Sequence, residues 1–210
     1  MKLYTNQHNS AGERVRIALN LKALAYDYVS VPAMAPGEYR RLNPQGLMPA
    51  LEVDGRVIAQ SAAILDFLDE GWPDPPLLPA DPLLRAEARA FSQHIAAEMH
   101  ALTVNRVRRF LAEDLQVGEA GVERWLRHWM AEGFAALEAA LARRRIDWPF
   151  CFSEAPGWAD LHLVPQLRNA RRFGCDLAPY ERLLAVEARC IGLDAFVRAR
   201  PEHQPDYAGV

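Results

Sequence analysis

Five of the chain's 15 prolines fall between Pro73 and Pro82, in the stretch WPDPPLLPADP. Proline lacks a backbone N–H and fixes φ, so neither a helix nor a sheet ladder runs through such a segment. The sequence therefore predicts two bodies: a first domain over 1–72, a proline-rich linker over 73–82, and a second domain over 83–210. At 210 residues the chain is long enough for each body to bury a core.

The two halves carry different periodicities. In the first, Lys2 to Thr5 reads as a strand, and Ser10 to Leu24 as a helix with Val15, Ala18 and Leu21 in helical spacing. Tyr26 to Val31 is aromatic and β-branched, which predicts a second strand and a βαβ unit. Ala50 to Val53 and Arg56 to Ala59 flank Asp54-Gly55, a hairpin signal, and Ser61 to Glu70 reads as a final helix. This order makes a small mixed sheet with helices packed on it. The second half shows only helical stripes: Phe91, Ile95, Met99 and Leu102, then Leu126, Met130, Leu137 and Leu141. A third helix is expected from Trp158 to Asp160 onward, with shorter ones after Pro179 and Leu193. The fold class is α/β plus all-α, with a helical bundle as the second domain.

Charge and composition narrow the chemistry. Lys plus Arg is 24 against Asp plus Glu 27, and a net charge of -3 does not favour nucleic acid or an anionic membrane. No apolar run reaches membrane-spanning length, and the start lacks the apolar core of a secretory signal. Cys151, Cys175 and Cys190 form no CxxC pair, which fits a reducing cytosol better than a disulfide framework. The six histidines lack metal-ligand spacing, so no metal site is expected.

Three features of the first half suit a peptide-like anion. Asn9-Ser10-Ala11-Gly12-Glu13 opens the first helix, where unpaired N–H groups favour an anion or lower a thiol's pKa. The same segment is an S-x-x-E capping box, which would occupy the Ser10 hydroxyl with the helix itself. Met48-Pro49 precedes a strand. A trans bond is the default, whereas a cis bond would present the Met48 N–H and C=O to an extended ligand. Gln60-Ser61 opens the last helix, with Ser61 either a plain N-cap or a ligand for a carboxylate.

Taken with their surroundings, these segments resemble the zeta class of glutathione transferases, the family of maleylacetoacetate and maleylpyruvate isomerases. The resemblance is carried by NSAGERVRIALNLK (Asn9 to Lys22), LNPQGLMPALEVDG (Leu42 to Gly55), AQSAAILDFLDE (Ala59 to Glu70), LLPADP (Leu77 to Pro82), ADLHLVPQLRNARRF (Ala159 to Phe173), DLAPY (Asp176 to Tyr180) and QPD (Gln204 to Asp206). It implies a thioredoxin-like first domain, glutathione as cofactor, a cytoplasmic homodimer and a small-molecule substrate. It also implies a cis Pro49, Met48 pairing the cysteinyl unit of glutathione, and Gln60 with Ser61 holding its γ-glutamyl end. Asn9 and Ser10 fall on the active-site motif, while His8, His100 and Arg172 fall on positions facing substrate.

Several positions depart from the family pattern. Asn9 stands where the family has its first serine, Ala11 where a cysteine is frequent, and His8 where an arginine often stands. Asparagine still donates through its NH₂, alanine offers nothing, and histidine, with a reference pKa of about 6.5, is a weaker cation. Thr103 and Val104 replace paired amides, and Gly157 replaces the side-chain cap of a helix. The function this implies is glutathione-dependent cis–trans isomerisation of a maleyl-type diacid in aromatic catabolism. A transferase or reductive dehalogenase acting on an aromatic or haloorganic electrophile is the alternative enzyme, and a non-catalytic binding protein of the same fold is the other.

Overall fold

The structure, a computed structural model, describes residues 1–208. Its contacts divide the chain into two compact units: Met1–Leu77 together with the segment from Ile191 onward, and Leu78–Cys190.

The first unit is built on a four-stranded sheet. Strands β1 (Lys2–Thr5), β2 (Asp27–Ser30), β3 (Ala50–Val53) and β4 (Arg56–Ala59) take the order β2-β1-β3-β4. β1 pairs β2 in parallel and β3 antiparallel, and β3 pairs β4 antiparallel. The β3–β4 turn has Asp54 at φ 49° and Gly55 at φ 74°, the two left-handed residues that match the twist of a tight hairpin. Helices α1 (Ser10–Leu21), α2 (Glu38–Leu42) and α3 (Ser61–Gly71) complete the thioredoxin-like arrangement. Strands β1, β3 and β4 have the sequence-based bounds, while the ends of β2, α1 and α3 differ by one to three residues.

α1 is buried from Ser10 to Leu19, including Glu13, Arg14 and Arg16. An amphipathic helix packed on a sheet would keep one face wet. Here a second helix, α10 (Asp194–Ala199), covers that face. Arg16 donates to the Ala199 carbonyl at 2.9 Å and to the Asn6 and Gln7 carbonyls at 3.2 Å, while Asn20 donates to Ala195. Asp206 then accepts from Tyr28 and Ser30, tying the closing segment to edge strand β2. The expected second domain of 83–210 therefore differs from the structure at its end, because these bonds place the last helix on the first unit.

The linker is also anchored. Lys22, its ammonium buried, donates to Asp69 at 2.9 Å and to the carbonyls of Trp72 and Pro75 at 2.6 and 2.8 Å. Asp69 in turn accepts from the Leu77 N–H. The stretch that reads as an extended connector keeps its first residues on the first unit.

The second unit is helical, as expected. It comprises α4 (Pro82–Gln93), a π-helical continuation over His94–Met99, α5 (His100–Thr103), α6 (Asn105–Arg109), α7 (Gly118–Ala142), α8 (Trp158–Arg172) and α9 (Glu181–Cys190). The predicted stripes are core except at one end: Phe91, Ile95, Met99, Leu126, Met130, Leu137 and Leu141 are buried, whereas Leu102 is half-buried. α8 begins at Gly157, whose missing side chain is offset by Asp160: its carboxylate accepts from the N–H groups of Gly157 and Cys151.

Candidate active site

Sheet register gathers the first unit's three candidate segments at one end. Tyr4 pairs Ala50, and Ala50 pairs Ala59. One residue further along the three strands lie Thr5, Pro49 and Gln60, and Thr5 leads directly into the loop before α1. Two hydrogen bonds then link the segments. Gln60 Nε2 donates to Gln45 Oε1 at 2.9 Å, in the loop carrying Met48, and Arg14 Nη1 of α1 donates to Ser61 Oγ at 3.3 Å.

The caps differ from the expected ones. Asn9, not Ser10, is the N-cap of α1: its backbone is extended, and its Oδ1 accepts from the Gly12 N–H. Ser10 is the first helical residue and is 4% exposed. Gly12 makes this cap possible, since a Cβ there would stand 2.0 Å from Thr5 Oγ1 and 2.7 Å from Asn9 Oδ1. The expected capping box of Ser10 with Glu13 is thus replaced by an asparagine cap one residue earlier. With its oxygen used inward, Asn9 keeps its NH₂ as the group able to donate to a ligand.

α3 repeats the shift. Its N-cap is Gln60, whose carbonyl accepts from Ile64, and Ser61 becomes the first helical residue, 7% exposed. Ser61 is therefore not the cap, so its hydroxyl is not consumed by the helix. Gln60 holds φ +72°, a conformation costing a non-glycine residue on the order of 1–3 kcal/mol and concentrated at ligand clamps. The Met48–Pro49 peptide is cis, as the resemblance implies.

Arg14 is a residue that the sequence-level reading missed. It is 1% exposed, its Nε and Nη2 have no hydrogen-bond partner, and burial lowers its pKa to about 10 against the opposing pull of Glu13. A buried cation with spare donors behind Ser61 supports an anion at the start of α3. Only its place in the quoted NSAGERVR segment hinted at it.

The remaining candidates are spread. His8 lies in the half-buried loop before α1, and His100 opens α5 in the second unit. Thr103 donates its hydroxyl to the Met99 carbonyl at 2.9 Å, so this replacement of a family amide serves its own helix. Of the adjacent arginines ending α8, Arg171 is spent: it forms a double 2.5 Å bond to Glu187. Arg172 has no hydrogen bond or ion pair among the described residues and lies 5.7 Å from the Phe173 ring centroid. A cavity of about 350 Å³ in the second unit, lined by Phe91, His94, Leu137, Arg143 and Phe152 among others, contains none of the expected site residues. Among the described residues there is no cluster of potential metal ligands, and no helix is long and apolar enough to cross a membrane.

A thioredoxin-like unit with a cis proline before β3, together with a helical second unit, is the arrangement of the glutathione transferase class. The family model for the glutathione S-transferase N-terminal domain matches residues 10–70. Maleylpyruvate isomerase of Ralstonia sp is 40% identical, over 99% of this chain and 100% of its own length. The holo structure of a maleylpyruvate isomerase, a bacterial zeta-class glutathione transferase, superposes with a TM-score of 0.94 at 40% identity, covering 99% of this chain and 100% of the other. Maleylacetoacetate isomerase from Methylobacterium extorquens AM1, crystallised with malonate and glutathione bound, gives 0.93 at 38% identity with full coverage of both chains. The chain belongs to the zeta-class glutathione transferase family of maleylpyruvate and maleylacetoacetate isomerases.

Proposed function

We propose that the protein is a glutathione-dependent cis–trans isomerase of a maleyl-type diacid. The observation that carries this is the bonded chain Gln45–Gln60–Ser61–Arg14, which unites the loop of Met48, the start of α3 and the body of α1. Its donors suit glutathione: Ser61, the α3 N-terminus and the buried Arg14 charge match a carboxylate, and Met48 offers backbone groups outside the β3 ladder.

When bound, glutathione supplies a thiolate whose addition to and departure from the electron-poor double bond lets that bond rotate. Asn9 donates its NH₂ toward the sulfur, and the start of α1, with Ser10 in its first turn, favours the anion. The chain's own thiols are poor substitutes, because burial raises the pKa of Cys151, Cys175 and Cys190. In the second unit Arg172 suits a substrate carboxylate, with His100 as a further candidate, and His8 is the first unit's candidate for the same charge. The free, unpaired cysteines fit a cytosolic enzyme.

The assay is direct: purified protein, glutathione and maleylpyruvate or maleylacetone, with loss of the cis isomer followed by absorbance. Glutathione-dependent loss is expected. No isomerisation, with turnover of a neutral chloronitro aromatic, would assign the chain to the transferase alternative, a reading favoured by Thr103 being tied to its own helix. No turnover of either would leave a binding protein. We also propose a homodimer, and sedimentation at micromolar concentration should give twice the chain's 23.6 kDa. A single species at the monomer mass would refute it.

A further inference from the structure

Arg108, which no sequence motif singles out, stands beside Arg172 with no counter-ion among the described residues. Its guanidinium carbon lies 4.9 Å from the Phe173 ring centroid, and that of Arg172 lies 5.7 Å from the same centroid. The Arg108 Nε is buried with no hydrogen-bond partner, and its one printed bond is a long 3.4 Å contact from Nη2 to Asn105. Burial, then the charge of Arg172, holds the Arg108 pKa below the usual arginine value, and no carboxylate acts against them.

The arginines adjacent to them in sequence behave differently. Arg109, next along α6, pairs with Glu113 at 3.2 Å, and Arg171, next along α8, pairs with Glu187. Arg127 and Arg182 of the same unit also have glutamate partners. Two guanidiniums on one aromatic ring repel each other, and the ring quadrupole offsets only part of that cost. An anion bonded to the two guanidinium heads would remove the repulsion.

We propose that Arg108 and Arg172 form a two-arginine seat, floored by Phe173, for a carboxylate of the substrate, making Arg108 a specificity-determining residue for dianions. The proposal deepens the isomerase reading and rests on it for the substrate's identity. The seat itself stands on the second unit alone.

The test uses the full-length protein saturated with glutathione. Malonate binding is measured by calorimetry in wild type, Arg108→Met, Arg108→Lys and Arg172→Ala, with glutathione affinity and Tm taken alongside. Methionine keeps much of the packing on Phe173 and removes the charge. Malonate affinity should fall roughly ten- to a hundredfold in Arg108→Met and in Arg172→Ala, and recover in part in Arg108→Lys, while glutathione affinity stays unchanged. Undiminished malonate binding in Arg108→Met, or no malonate binding in wild type, would overturn the seat. So would a parallel loss of glutathione affinity and Tm, which would make Arg108 a packing residue. Malonate binding that depends on Arg108 in a protein that isomerises no maleyl diacid would keep the seat and reject the isomerase.

Discussion

In the proposed function, the helix starts of the first unit and the arginine corner of the second recognise negative charge by different means. Around α1 and α3 the donors are backbone N–H groups, an asparagine amide and a serine hydroxyl, fixed by sheet register and backed by the buried cation Arg14. At α6 and α8 two side-chain charges are left unneutralised against a single ring. The first arrangement is preorganised by the fold, so it is costly to disrupt, yet its backbone donors remain when one side chain is exchanged, as with Asn9 for serine. The second depends on which residue stands at two helical positions, so a single change can create or erase it. A binding site for the invariant partner of a reaction suits the first, and substrate selection suits the second.

The largest expected effect tests the second region. Arg172→Ala should lower kcat/KM for maleylpyruvate by roughly ten- to a hundredfold, the loss of a charged hydrogen-bond partner worth about 1.5–3 kcal/mol. Glutathione affinity and turnover of a neutral chloronitro aromatic should hardly change. Equal losses on both substrates would show that Arg172 serves the fold and would remove the contrast between the regions.

Next comes the preorganised region. Gly12→Ala forces a methyl group to 2.0 Å from Thr5 Oγ1, an overpacking expected to cost about 1–3 kcal/mol in denaturant unfolding. Glutathione affinity should fall with it, because the Asn9 cap must move. A variant of wild-type stability would mean that the α1 start adapts readily.

Asn9→Ala should cost about 1 kcal/mol of stability through the lost cap and also raise the pKa of the bound thiol. Ser10→Ala should do less of both, since Ser10 does not cap the helix. Thermal melts and thiolate absorbance titrations would check this, and the opposite ranking would return the activating role to the serine. The smallest effect is a control: Arg109→Ala, one residue from Arg108 and paired with Glu113 on the surface, should leave malonate affinity unchanged.

The sequence by itself determined the two-body plan, the strand and helix order, the hairpin at Asp54-Gly55, and the segments around Met48-Pro49 and Gln60-Ser61. Each is written locally, in proline clusters, period-2 and helical spacing, or turn residues, and the quoted family segments span both units. What only the tertiary structure decided depends on atoms distant in the chain. α1 reads as amphipathic, yet it is buried all round because α10, some 180 residues later, bonds to Arg16 and Asn20. Asn9 takes the cap from Ser10 because Gly12 lets the helix start close on Thr5. The family resemblance picks Arg172 out of ARRF, but only the structure supplies the physical reason, since Glu187 claims Arg171. Arg108 carries no motif at all, and only the packing of α6 near the end of α8 brings its charge onto Phe173. Local spacing fixes which elements form, whereas charge compensation is settled by whichever side chains the folded chain brings within bonding distance.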